Sequence, residues 1–192
     1  MLDKIKKVRE KTGAGVVNIK QALEEAAGDE EKAIEILRKK GQDKALKKSD
    51  RATKEGVVVS YIHSNGKIGS MVKIYCETDF VARTDEFQAL AKDIAMHVAA
   101  MDPKVLRPED VPVVLVEKER EIWREQLKNE GKPEAMWEKI MIGKEDKFRK
   151  EQSLLTQAFV KEPKMTVGDL VQEKVAKIGE NIQVGEFVRF EL

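Results

Sequence analysis

A single cysteine, Cys76, stands among the 192 residues, so no disulfide can close within the chain and a reducing compartment is expected. The two histidines, His63 and His97, are too few and too dispersed to build a zinc site with that cysteine. No run of about 18 apolar residues occurs, so no membrane span is expected. Met1-Leu2-Asp3-Lys4-Ile5 reads as the start of an amphipathic helix and lacks the apolar stretch of a signal peptide, which makes the cytosol the expected location. The net charge of +1 gives no basic excess, so the chain is not expected to live on a nucleic-acid phosphate backbone.

Catalytic signatures are missing as well. The sequence has no G-x-x-x-x-G-K-[ST], and its nearest lookalike, Gly66-Lys67-Ile68-Gly69, falls at a hairpin tip instead of opening a helix. The chain is therefore expected neither to hydrolyse nucleotide nor to hold it directly. It also lacks G-x-S-x-G, H-E-x-x-H and C-x-x-C. Cys76 follows a strand with no histidine beside it in sequence, and reads as a small buried hydrophobe. These absences point to a protein that is not an enzyme and carries no cofactor or metal.

What the sequence does have is periodicity. Apolar residues make up 41% and charged residues 37%, and the apolar ones recur at regular spacing, which fits a folded domain and not a disordered chain. Three short helices are expected in the first forty residues. Leu2, Ile5 and Val8 line the first, with Gly13 at its C-cap; Ile19, Ala22, Leu23 and Ala26 line the second, ended by Gly28. Asp29 caps the third, which carries Ala33, Ile34 and Leu37 and is expected to stop at Gly41. Helices this short are unstable singly and should pack as one module, 1–41. A linker, 42–55, follows. The stretch Arg38–Lys54 holds eight basic residues (Arg38, Lys39, Lys40, Lys44, Lys47, Lys48, Arg51, Lys54) against Asp43 and Asp50. It reads as a solvated connector, with an acidic protein surface or RNA as the other readings.

From Gly56 the pattern turns to strands. Val57–His63 and Ile68–Cys76 are rich in strand formers, and Ser64-Asn65-Gly66-Lys67 between them supplies a tight hairpin turn. Thr84, with Asp85 and Glu86 behind it, caps a helix whose buried stripe is Phe87, Leu90, Ala91, Ile94, Ala95 and Val98, with His97 core-facing. A charged helix over 114–128, two short helices over 135–141 and 144–150, a helix from Thr166 to Ile178 closed by Gly179, and a strand-like tail 182–192 complete the reading. Trp123 and Trp137 are expected to pack inward. The tail should join the hairpin, giving an α+β domain over 56–192: an antiparallel three-stranded sheet packed with helices.

Two segments carry a resemblance. Thr12-Gly13-Ala14-Gly15 with Lys20-Gln21-Ala22-Leu23-Glu24-Glu25-Ala26, and Cys76-Glu77-Thr78-Asp79-Phe80-Val81-Ala82-Arg83, resemble the elongation factor Ts family of bacterial translation. Tyr61-Ile62-His63, Ala95-Met96-His97-Val98-Ala99-Ala100 and Ile178-Gly179-Glu180-Asn181-Ile182 follow in the family's order, with 113–160 least distinctive. The resemblance implies that the first three helices form a module of the ubiquitin-associated type. It also implies a partner, the GTPase elongation factor Tu, and a role in guanine-nucleotide exchange, the expulsion of GDP from that partner. Thr78, Asp79, Phe80 and Val81 match the corner that the family pushes toward the partner's magnesium site. Arg9, Val16, Val17 and Lys20 match its N-terminal docking surface, with Val16-Val17 where methionines are common. His63 matches a hairpin histidine that touches a more distant domain of the GTPase. Longer members carry two related core halves and an inserted coiled coil; this chain has one half, so the resemblance implies a homodimer. One protomer would then present Asp79-Phe80 and the other its His63 hairpin.

The physics of such a corner is plain. A factor that weakens nucleotide binding is weakened equally by nucleotide, because coupling between ligands is reciprocal. Full coupling that speeds release on the order of 10⁴-fold takes about 5.5 kcal/mol of differential binding. Burying one phenylalanine supplies roughly 1.5–3 kcal/mol, so several contacts are needed. Two other classes stay open to the residues alone: an adaptor that uses its first three helices without affecting nucleotide, and an RNA-binding protein using Arg38–Lys54.

Overall fold

The computed structural model describes residues 2–12 and 14–192. The expected C-cap at Gly13 lies outside the described residues. The chain divides into two units, one made of residues 1–57, 74–90 and 169–183, the other of 58–73, 91–168 and 184–192.

In the first unit, α1 (Leu2–Thr12), α2 (Val16–Glu25) and α3 (Glu30–Leu46) form a helical region. Their shared core is Val8, Ile19, Ala22, Leu23, Ala26 and Ala33, with Ile5, Ile34, Ile36 and Leu37 packed against it. Leu2, expected inward, is exposed. The Asp29 carboxylate accepts from the amides of Glu31 and Lys32, satisfying two of the orphan donors at the start of α3. Helix α2 ends at Glu25 with Ala26 as its C-cap, three residues before the expected Gly28; Ala27 and Gly28 then turn the chain at positive φ.

The third helix does not stop at Gly41 but continues to Leu46. A Cβ on Gly41 would lie 3.4 Å from the Cβ of Ala176, so this glycine serves a close approach between helices. Nearby, Arg38 pairs with Asp169 at 2.9 Å and the Gln42 amide donates to the same carboxylate. Ala176 and Asp169 both lie on α8 (Val167–Ile178).

Strands β1 (Glu55–Ile62) and β2 (Ile68–Cys76) form the expected hairpin, closed by the His63 amide on the Ile68 carbonyl at 2.8 Å. The tail is β5 (Gln183–Glu191), and the antiparallel sheet has the order β1-β2-β5. Two contacts fix its register against β2: Leu192 N–H on the Lys67 carbonyl, and Lys73 on Glu186 at 2.5 Å. Side chains alternate across the sheet. Val72, Ile74 and Cys76 are buried, whereas Met71 on the other face is exposed.

Helix α5 (Asp85–Met101) begins at Thr84, whose hydroxyl accepts from the Phe87 amide. Its expected stripe, Phe87, Leu90, Ala91, Ile94, Ala95 and Val98, is buried, and so is His97. In the second unit the Ser70 hydroxyl donates to the Ala95 carbonyl at 2.6 Å, joining β2 to α5. Helices α6 (Val113–Asn129) and α7 (Glu134–Gln152) make an antiparallel pair in which Trp123 meets Phe148 edge-on at 6.0 Å. Where two short helices were expected, α7 is continuous through Gly143, because a glycine weakens a helix without breaking it. Trp123 is buried as expected; Trp137 is only half-buried, and its N–H donates to the Lys132 carbonyl. A short hairpin, β3 (Ala158–Phe159) and β4 (Glu162–Thr166), was not foreseen.

Candidate functional site

The candidate corner begins where β2 runs out. Cys76 is buried and its thiol lies 3.2 Å from the Thr78 carbonyl. Burial, with the nearby charge of Glu180, pushes that thiol up to about 11, so it stays protonated and unreactive at neutral pH. Thr78 is extended and caps α4 (Asp79–Ala82), its oxygen facing the Val81 amide at 3.4 Å. Helix α4 is one turn long, too short to persist by its own hydrogen bonds. Neighbouring side chains hold it. The Gln88 amide donates to the Ala82 carbonyl at 2.7 Å and the Thr84 hydroxyl to the Val81 carbonyl at 2.8 Å.

The four expected corner residues differ in what they offer a partner. Phe80 is 80% exposed, an aromatic ring standing in solvent on a turn pinned from beneath. Asp79 is half-exposed and pairs with Arg83 one turn on, at 2.9 Å. Val81 is partly covered. Thr78 points its hydroxyl inward, to the Glu180 carboxylate at 2.7 Å, so its polar group is already engaged within the chain.

Val16 and Val17 open α2, where the Gly15 cap has no side chain to cover them, and both are exposed. Lys20 follows on the same helix, 4.0 Å from Glu24, and Arg9 is exposed on α1. His63 belongs to the second unit, exposed just past β1, with its Nδ1 3.2 Å from the Tyr61 hydroxyl. The corner and the helical residues thus fall in the first unit, and His63 does not.

Two residues escaped the sequence reading as site components: Glu180 and Asn181, in the turn between α8 and β5. Glu180 binds the corner from behind, and Asn181 is buried. The signal was present in Gly179-Glu180-Asn181, an acid directly after a helix-ending glycine, but nothing in sequence tied it to Thr78, 102 residues earlier.

Among the described residues, no group of three or more histidine, cysteine or acidic side chains is arranged to hold a metal, and no helix is long and apolar enough to cross a membrane. The family model "Elongation factor TS" matches residues 3–192. The chain belongs to the elongation factor Ts family. It is 58% identical over 188 residues to elongation factor Ts of Carboxydothermus hydrogenoformans, covering 98% of this chain and 87% of that one. With the Fervidobacterium nodosum protein it shares 55% over 188 residues, covering 98% and 95%. With that of Thermotoga maritima it shares 53% over 191 residues, covering 100% and 95%. Members of the elongation factor Ts family are nucleotide-exchange factors of translation and are not enzymes.

Proposed function

We propose that this chain docks on the GTPase elongation factor Tu and drives out GDP by pushing the Asp79-Phe80 corner against the loops that hold Mg²⁺ and the phosphates. The observation that carries this reading is Phe80, 80% exposed on a single helical turn that Thr78, Thr84 and Gln88 keep in place. A folding chain gains nothing by displaying an aromatic ring there; a partner that buries it gains roughly 1.5–3 kcal/mol. The rest of the coupling comes from Arg9, Val16, Val17 and Lys20, on a three-helix module of the ubiquitin-associated type whose third helix runs to Leu46. His63 adds a contact from the hairpin of the core domain, 56–192. The factor works in the cytosol, binds no nucleotide directly and needs no cofactor.

Two further observations bear on partners. Of the eight basic residues in Arg38–Lys54, five are engaged within the chain: Arg38, Lys39, Lys40 and Arg51 with carboxylates, and Lys48 with the Gly179 carbonyl. That leaves little free charge for RNA. Val58, Ile62, Met71, Val188 and Phe190 are exposed large apolar residues on strands of one sheet, which supports a homodimer.

The test is release of fluorescent GDP from elongation factor Tu, followed by stopped flow. This chain accelerates release, and Phe80→Ala loses most of the effect while melting at the wild-type temperature. Normal exchange by both Asp79→Ala and Phe80→Ala defeats the wedge. Binding without any acceleration favours an adaptor.

A further inference from the structure

The exchange corner is clasped by a turn that follows it by about a hundred residues, and the clasp is reciprocal. One oxygen of Glu180 accepts the amides of Glu77 and Thr78, both at 3.1 Å, and the other accepts the Thr78 hydroxyl at 2.7 Å. In return, Glu77 accepts the Asn181 amide at 2.6 Å and lies 3.5 Å from the Arg51 guanidinium. Each acid therefore sits beside the amide that the other acid holds. Asn181 is 3% exposed, and its side-chain amide donates to the carbonyls of Ser49 at 3.1 Å and Arg51 at 2.8 Å.

The Thr78 hydroxyl is the pivot. A hydroxyl has one proton and two lone pairs, and a carboxylate can only accept. The proton must therefore go to Glu180, which leaves the oxygen lone pairs for the Val81 amide at the head of α4. A chain runs from carboxylate to hydroxyl to helix N-terminus, each link setting the direction of the next. Without Glu180 the hydroxyl is free to rotate, two amides lose their acceptor, and a one-turn helix loses what orients it.

We propose that Glu180 is the positioning residue of the exchange corner: it holds Thr78 and α4 in the conformation that presents Phe80 before the partner arrives. The proposal rests on the reading that Asp79-Phe80 acts on the GTPase. Docking affinity comes mainly from other surfaces, so loss of the clasp affects the displacement step more than the encounter. A loosely held corner still reaches the partner, but it delivers less of its binding energy to the displaced loops, because ordering it on contact consumes part of that energy.

The experiment measures GDP release from elongation factor Tu at increasing concentrations of the factor, separating the plateau rate from the half-saturating concentration. Glu180→Gln keeps the shape, but with its one oxygen on the two backbone amides it turns an amide donor onto the Thr78 hydroxyl, competing with the Val81 amide for the same oxygen. It lowers the plateau about tenfold or more, the range that a charge-assisted hydrogen bond commands. The half-saturating concentration moves much less. Thr78→Val gives the same plateau as Glu180→Gln, Thr78→Ser restores the wild-type plateau, and the double variant Glu180→Gln/Thr78→Val is no slower than either single one, since both break one chain. Where Glu180→Gln fails to fold, the Thr78→Val and Thr78→Ser pair carries the test. An unchanged plateau in Glu180→Gln or Thr78→Val, whatever happens to the melting temperature, overturns the proposal and makes the clasp merely structural. Phe80→Ala run alongside separates the two failures. If Phe80→Ala is slow while the clasp variants are normal, only the positioning role falls; if Phe80→Ala is itself normal, the corner reading falls and takes this proposal with it.

Discussion

His97 and Gln157 meet in the interior of the second unit, with the imidazole Nε2 3.0 Å from the Gln157 Oε1. The Val160 amide donates to Nδ1 of the same ring at 3.2 Å, so Nδ1 must be bare and the proton must sit on Nε2. Gln157 in turn donates its side-chain amide to the Glu151 carbonyl at 2.8 Å. The fully buried, neutral ring thereby joins α5 to the β3–β4 hairpin and to the end of α7.

A pH dependence follows from that network. Burial lowers the His97 pKa below its ordinary 6.5, and the contact with Gln157 only partly offsets this. Above 6.5 the ring is neutral in both folded and unfolded chains and contributes no slope. Below it the unfolded chain takes up a proton that the folded chain refuses, so stability falls as pH drops from 6.5 toward the folded value. Melting temperature is expected to decline between about pH 7 and 5.5, above the range where most carboxylates titrate. His97→Gln should melt lower at neutral pH but lose stability less steeply over that interval. Equal slopes in the two proteins would remove His97 as the cause.

Val17 provides a clean test of docking, because its 70% exposure means the fold does not depend on it. Val17→Asp is expected to leave the melting temperature nearly unchanged, within the small range of surface substitutions. It should raise the half-saturating concentration for exchange by roughly tenfold or more, by losing buried apolar area and placing a charge in the contact. The plateau rate should hold. A variant that saturates at the wild-type concentration would place the docking surface elsewhere.

Wherever periodicity and caps were strong, the chain could be read directly. The stripe from Phe87 to Val98, the Asp29 cap and the Asn65-Gly66 turn each follow from one short segment whose local preference and burial agree. Glycine was the weak point. Gly41 reads as a stop, yet it lets a neighbouring helix come close, and the expected break between 141 and 144 is an exposed helix interior containing Gly143; only three-dimensional context separates these uses from termination. The β3–β4 hairpin left no alternation to detect, since β3 has two residues. At the corner, the exposed strand-to-helix junction that carries Asp79 and Phe80 was legible through a motif. The Glu180–Thr78 bond was not, because a contact spanning 102 residues leaves no local trace.

Two glycines of the β1–β2 hairpin should respond very differently to alanine. A Cβ on Gly56 would lie 2.1 Å from the Ile74 carbonyl oxygen, a backbone atom of the paired strand that cannot swing aside. Gly66 has positive φ but open space around it. Gly56→Ala is expected to cost more than about 4 kcal/mol or to prevent folding, the range reached when backbone must move. Gly66→Ala should cost only about 1 kcal/mol, the left-handed penalty. Urea unfolding measures both, and similar costs would mean that β1 can shift without loss.

The outer face of the sheet carries an apolar strip. The register set by Lys67–Leu192 and Lys73–Glu186 places Met71 opposite Val188 and Gly69 opposite Phe190, while the His63–Ile68 closure places Ile62 beside Gly69. Ile62 and Phe190 thus flank the one outward position that has no side chain, and both are about two-thirds exposed. Ser60 and the Lys73–Glu186 pair lie farther along this face and do not interrupt the apolar strip from Ile62 across to Phe190. A single chain leaves that strip in water; a second copy removes it on both sides at once, as isologous contacts do. Sedimentation at micromolar concentration should therefore give twice the chain mass, and Phe190→Asp, which buries a charge at the contact without touching the core, should give the monomer. A wild-type chain that sediments as a monomer would end the homodimer reading, and a Phe190→Asp dimer as tight as wild type would move the interface off this face.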